Sequence, residues 1–171
     1  MSVMIVDVAA ERHAECLAVL HAGFGTVAAE FGLTAQNTPS SPAFWGPDQL
    51  ARAVARPADL VAVEDSGRLV GCAFVGASRR RPGVWELRHL AVLPQARRRG
   101  HGEALVAEAA RRARSGGASV LRIGIIAENR RLSGWYEALG FVTVAAGQRF
   151  PGLVFSVDHL ELSLEARSQA T

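Results

Sequence analysis

The residues of this chain best suited to chemistry lie at 94–103, where Arg97, Arg98 and Arg99 run into Gly100 and Gly102 at the head of a helical pattern. The apolar residues 90–93 come before them and read as the end of a buried strand. Pro94 closes that strand because it has no N–H to give to a ladder. The first N–H groups of a helix have no intrahelical acceptor and sit at the positive end of its dipole. Glycines at 100 and 102 remove side chains that keep an anion away from the backbone. Residues 98–103 are therefore expected to present a nest of donors to a diphosphate, with the three arginines adding charge. A tight strand-to-helix turn uses the same two glycines without binding anything. No Gly-Lys-Ser/Thr follows, so the stretch is not a P-loop, and Leu105 stands where a dinucleotide fingerprint has its third glycine.

Such a site must be held by a sheet and its helices. Residues 3–9 alternate as a first strand. The spacing of Cys16, Leu17, Leu20, Phe24, Val27 and Phe31 predicts a helix from Ala10 to about Phe31. Gly23, Gly25 and Gly32 weaken it, so one helix and a break are expected. A loop rich in Pro, Ser and Asn follows to residue 47, and Asp48 is placed to cap a short helix through Arg56. Two apolar strands flank Asp65, Ser66 and Gly67 as a hairpin, and a turn at 79–83 leads into a strand at 84–92. A helix from about Gly100 to Ser115 stops at Gly116 and Gly117. A strand at 119–126, a helix from Asn129 to Leu139, and strands at 141–146 and 153–164 complete the chain. The order β-α-α-β-β-β-α-β-α-β-β gives a mixed α/β class with some antiparallel pairing.

With 171 residues the chain is the length of one ordinary domain with a sizeable core. Hydrophobic residues make up 49% of it and charged residues 20%, a globular and not a disordered balance. The net charge of +3 raises nucleic acid as a partner, but all 19 basic side chains are arginine, which fits a biased codon usage, and there is no aromatic stacking series. A nucleic-acid partner is not expected. No apolar run approaches the roughly 20 residues of a membrane span. The N-terminal residues do not show a basic region followed by an apolar block, so cytoplasmic localisation is expected. Cys16 and Cys72 lie in apolar settings without metal-ligand spacing; they read as buried free thiols, and no metal is expected.

Residues 90–105 resemble the acyl-CoA-binding motif of the GNAT family of N-acetyltransferases: an apolar strand, a proline, then Arg97, Gly100 and Gly102 at the family's spacing. Asn129, followed seven residues later by Tyr136 and then by Leu139, Gly140 and Phe141, resembles the family's second signature. The resemblance covers residues 84–145 and extends from residue 60 onward; before that it rests on element order alone. It implies a single domain over residues 1–171, with 163–171 frayed. Its fold is a mixed, mostly antiparallel central sheet of about seven strands, helices on both faces, splayed between the fourth and fifth strands. It implies acetyl transfer from acetyl-CoA, a co-substrate, to a primary amine of a small molecule or protein, by direct attack in a ternary complex. A silent acyl-CoA-binding module of the same fold is the alternative. A homodimer is common in the family.

The same resemblance assigns roles. The backbone of Leu90, Ala91 and Val92 would pair with the pantetheine arm. Arg97, Arg98, Arg99, Gly100, His101, Gly102 and Glu103 would surround the diphosphate. Asn129 would bond the cofactor arm, a role compatible with capping a helix. Tyr136 would protonate the departing thiolate. Glu86 stands eleven residues before Arg97, at the position of the base in the histone-modifying branch. His89 and Glu128 are the other candidates for that role. Gly124 stands where the branch acting on ribosomal-protein N-termini carries a carboxylate, which argues against that branch. Leu132 replaces the usual small alanine. Acceptor selection is expected from residues 24–45 and 147–153, with the loop ending at Phe44 and Trp45 either covering the acceptor or anchored in the core.

Overall fold

Strands β1 (Val3–Asp7), β2 (Asp59–Asp65), β3 (Arg68–Ala77) and β4 (Val84–Val92) form the first half of one sheet; β5 (Val120–Ile126), β6 (Val142–Gln148) and β7 (Val157–Ser163) form the second. The computed structural model describes residues 3–165. The strand order is β1-β2-β3-β4-β5-β7-β6, and every pairing is antiparallel except β4 with β5. Ser163 still pairs with Val120, and Leu164 is buried; residues 166–171 of the tail expected to fray lie outside the described residues.

Alternation along β2 divides the core. Val61 and Val63 face one side with Leu87, Leu105, Ala109 and Leu121, under helices α3 (His101–Ser115) and α4 (Arg130–Ala138). Leu60 and Ala62 face the other side with Cys16, Leu20, Trp45, Leu50 and Phe74, under α1 (His13–Phe31) and α2 (Pro47–Val54). Each fully buried leucine contributes roughly 1.5–3 kcal/mol. Leu20, Leu105, Leu121 and Leu160, two on helices and two on strands, therefore fasten both layers to the sheet. Cys16 and Cys72 are both buried as free thiols. Ser66 and Gly67, at φ 53° and 83°, make the β2–β3 connection a two-residue turn whose twist matches the strands.

Three expectations are corrected. Helix α1 has no break: it runs for 19 residues to a left-handed Gly32, after a short 3₁₀ turn at Ala10–Arg12. Gly23 within it is a contact surface, because a Cβ there would lie 2.7 Å from Ala91 Cβ. Asp48 does not cap α2; Gly46 is the N-cap, its N–H donates to Gln49 Oε1 at 2.9 Å, and Asp48 sits in the first turn. The last strand begins at Val157 and not at 153, leaving Leu153 and Phe155 free to line a cleft.

Candidate functional site

The sheet is open where β4 and β5 part. Their parallel pairing covers only Val84–Glu86 against Val120–Arg122, and beyond that the strands diverge. On its other edge β4 pairs with β3 through a bulge: Cys72 faces Ala91 and Phe74 faces Arg88, so His89 and Leu90 share the interval opposite Ala73. His89 takes φ 53°, unusual for a residue with a side chain, as bulged strands beside sites often require. The gap widens into a cleft of ≈ 990 Å³.

Of the residues singled out in the sequence, Leu90, Ala91, Val92, Arg97, Arg98, Gly100, His101, Gly102, Glu103, Asn129 and Tyr136 all line this cleft. Arg99 and Glu86 are not among its lining residues. The Glu86 carboxylate pairs with Arg88 at 2.7 Å and lines a separate small cavity with Arg56 and Phe74. The structure thus brings the motif and the phenol together and sets Glu86 apart from them. Glu128 accepts from the Ser156 N–H at 3.4 Å.

At the head of α3, Arg98 and Gly100 take left-handed φ values of 61° and 82°. The first intrahelical bond runs from the Ala104 N–H to Gly100 O at 3.0 Å, and no side chain caps the helix. The amides of residues 98–103 have no acceptor among the described residues. His101 is 4% exposed, and its Nε2 is buried without a hydrogen-bond partner among the described residues. An orphaned buried polar atom costs about 1–3 kcal/mol until something meets it. An anionic group suits this array, because amides at a helix N-terminus and an imidazole N–H all donate. The two glycines serve different ends. Gly100 supplies the positive φ, while Gly102 lies beneath Trp135, whose Cζ2 would be 3.0 Å from a Cβ at 102. The missing side chain of Gly102 thus also makes room for an indole.

Arg97 is a strut. Its guanidinium donates to Val92 O at 3.3 Å, Gly23 O at 3.1 Å and Thr26 Oγ1 at 2.9 Å, tying α1 to the end of β4. Glu30 and Arg131, both in the cleft wall, pair at 3.0 Å and join α1 to α4. Asn129 caps α4 by accepting from the Leu132 N–H at 3.2 Å.

The ring of Tyr136 is buried edge-on between Trp135 at 4.7 Å and Phe141 at 5.2 Å. Burial pushes its phenol well above the ordinary tyrosine range, so it stays protonated at neutral pH. His89 is caged by Phe24, Trp45 and Phe74 at 6.3, 4.8 and 5.8 Å. Burial first, then the charges of Arg88 and Arg56, lowers its pKa to about 4. Trp45 anchors the preceding loop in the core, its Nε1 donating to Ser40 O at 3.0 Å. Ser40, Ser41 and Pro42 face the cleft, together with Phe24 and Leu33 from the end of α1, and Leu153 and Phe155 from the β6–β7 connection. Among the described residues no helix is long and apolar enough to cross a membrane, and no cluster of three or more His, Cys, Asp or Glu could hold a metal ion.

Comparison with known proteins places this geometry. The model of the acetyltransferase (GNAT) family matches residues 30–141. The fold is similar to that of the ribosomal-protein-S18-alanine N-acetyltransferase from Escherichia coli, with a TM-score of 0.73 and 15% identity over 99% of each chain. It is similar to the PaiA N-acetyltransferase from Thermoplasma acidophilum in complex with coenzyme A, with a TM-score of 0.72 and 15% identity over 95% of this chain and 99% of the other. It is also similar to yncA of Salmonella typhimurium with its cofactor acetyl-CoA, with a TM-score of 0.64 and 21% identity over 100% of this chain and 99% of that one. No curated protein sequence matches the chain significantly.

Proposed function

The chain belongs to the acetyltransferase (GNAT) family, and on that premise we propose that it transfers an acetyl group from acetyl-CoA to a primary amine by direct attack within one cleft. The observation that carries this reading is the shared wall of that cleft: uncapped amides and the orphaned His101 Nε2 at one end, the protonated Tyr136 phenol further along. Acetyl-CoA supplies an activated thioester. The amides of Arg98, Arg99, Gly100, His101, Gly102 and Glu103 hold its diphosphate, with Arg98 adding charge from the cleft wall. Backbone groups of Leu90, Ala91 and Val92, on the strand edge that β5 leaves, bond the pantetheine arm. Asn129 keeps its capping bond while its remaining polar atom faces the arm.

Tyr136 donates a proton to the departing sulfur. A positioned acid contributes about 10²–10⁴-fold. The raised pKa keeps the proton on the phenol until the thiolate forms. Arg97 acts at a distance from the reacting atoms, fastening α1 to the end of β4 through Gly23 and Thr26. The acceptor enters between Phe24, Leu33 and Pro42 on one side and Leu153 and Phe155 on the other.

The test is free-thiol release from acetyl-CoA with a panel of amines: phenethylamine, spermidine, methionine and a peptide with a free α-amine. Amine-dependent thiol release with matching amide formation supports transfer. Thermal stabilisation by CoA without release from any amine identifies a silent binding module.

A further inference from the structure

Acetyl transfer needs a group that takes a proton from the acceptor, since an alkylammonium of pKa near 10 is almost fully charged at neutral pH. The carboxylates of the cleft wall are engaged: Glu103 accepts from Trp135 Nε1 at 3.1 Å, and Glu30 is paired with Arg131. Glu86 is paired outside the cleft. His89 reaches the cleft wall, but with a pKa of about 4 and three aromatic rings packed against it, it is a weak base.

Gly124 is the bare position on this wall. It lies in the diverged part of β5 and faces the cleft with no side chain. Its register partner on β7 is His159, which is not itself among the cleft-lining residues; a Cβ on Gly124 would meet both Cδ2 and Nε2 of that imidazole at 3.4 Å, so the ring stands directly against the bare Gly124 backbone. The ring is held from its other side: His159 Nδ1 bonds Gln148 Oε1 on β6, and Phe150 packs edge-on at 6.2 Å. With the amide oxygen of Gln148 turned toward the ring, a carbonyl that only accepts assigns the proton of the neutral imidazole to Nδ1 and leaves the lone pair on Nε2. The Nε2 atom has no hydrogen-bond partner among the described residues. A base oriented by a third group and delivered over a glycine is the arrangement proton abstraction asks for.

We propose that His159 is the general base of the transfer reaction, reaching the acceptor nitrogen across Gly124, and that Gln148 is the residue that positions it. This rests on the acetyl-transfer reading above. His159 Nε2 takes one proton from the ammonium and becomes imidazolium. The freed nitrogen lone pair bonds to the thioester carbonyl carbon, and the C–S bond breaks with its electrons on sulfur. Tyr136 protonates the sulfur, and the second proton lost by the nitrogen restores the phenol. The imidazolium returns its proton to solvent, so the products are amide, CoA thiol and one released proton. The charges around the ring come from three strands, Glu86 on β4, Arg122 on β5, and Asp158 and Glu161 on β7, while β6 contributes the neutral Gln148. Burial and Arg122 favour the neutral base, and the three carboxylates oppose them.

Two measurements on the full chain test this. Nitrogen-15 histidine NMR, with His159→Gln to assign the signal, is expected to show Nδ1 protonated and Nε2 bare; the opposite tautomer overturns the proposal whether or not an amine turns over. Thiol release with the same amine panel is then followed against pH. His159→Gln is expected to lower kcat roughly 10²–10⁴-fold and to abolish the acidic limb of the profile, with CoA affinity within twofold of wild type. Gln148→Glu is expected to move that limb to higher pH, because a carboxylate on Nδ1 favours imidazolium. Wild-type and His159→Gln profiles that superimpose overturn the role of His159 and leave acetyl transfer standing. No thiol release by the wild type from any amine, with CoA bound, overturns acetyl transfer and the base together.

Discussion

Trp135 of α4 covers Gly102 of α3 so closely that the glycine cannot be enlarged without moving the indole: its Cζ2 and Cη2 would lie 3.0 and 3.2 Å from an added Cβ. The same indole donates to Glu103 Oε1 at 3.1 Å. The helix carrying Tyr136 is therefore docked directly on the turn that presents the free amides. Gly102→Ala is expected to cost about 1–3 kcal/mol of stability, as overpacking does. It should also weaken CoA binding, by disturbing the amides beneath. Trp135→Phe in the same chain should recover part of both losses, measurable by urea denaturation and calorimetry as a double-mutant cycle. Strictly additive effects would show that the two residues are not coupled.

Tyr136→Phe removes one oxygen and keeps the packing against Trp135 and Phe141. Turnover is expected to fall about 10²–10⁴-fold with CoA affinity unchanged. The sign of the phenol's pH effect follows from its raised pKa. Stability tied to the neutral phenol is present below the unfolded value of about 10 and is lost as pH rises through the folded one. The acid therefore does not limit the rate anywhere near neutrality. Unchanged single-turnover rates in the variant would assign the proton to another donor.

Arg97 satisfies three acceptors that belong to two elements. Arg97→Ala is expected to destabilise the fold by about 1.5–3 kcal/mol, the scale of hydrogen bonds from a charged donor. The loss should be visible as a lowered urea midpoint with the slope unchanged. Arg97→Lys can replace one of the three bonds and should fall between the two.

Glu108 gives the acid side of the stability curve. Hydrogen bonds from Arg111 first, and then Arg112, hold its carboxyl at about 2. Arg112 also reaches Asp7 at 2.8 Å and Asp59 at 2.9 Å, so this network ties α3 to the ends of β1 and β2. A folded pKa below the unfolded value of about 4.3 means stabilisation that is present above pH 4.3 and lost as pH falls toward 2. Glu108→Gln is expected to flatten that part of the profile, followed by thermal unfolding between pH 2 and 6.

Local signals in the chain were enough for much of this. The alternation at residues 60–63 marks two core faces, and Gly116 and Gly117 mark the end of α3. The cluster of residues 97–102 marks the free helix terminus, because backbone donors and glycines are local properties. What stayed hidden depends on register. Nothing near Gly124 in sequence announces that His159, 35 positions on, pairs with it. The bulge that turns His89 into an aromatic cage comes from β3 being one residue short at Ala73. That Gly102 also makes room for Trp135 could not be read from its neighbours in sequence. Residues 153–156 carry strand-like apolar side chains but spend two of them, Leu153 and Phe155, on the cleft.

A crystal structure with acetyl-CoA bound tests the central claim most directly, through the distances from the diphosphate oxygens to the amide nitrogens of residues 98–103. The expected result is several contacts of about 2.7–3.2 Å, with the thioester sulfur beside the Tyr136 hydroxyl. A diphosphate bound elsewhere, or a sulfur remote from Tyr136, contradicts the account.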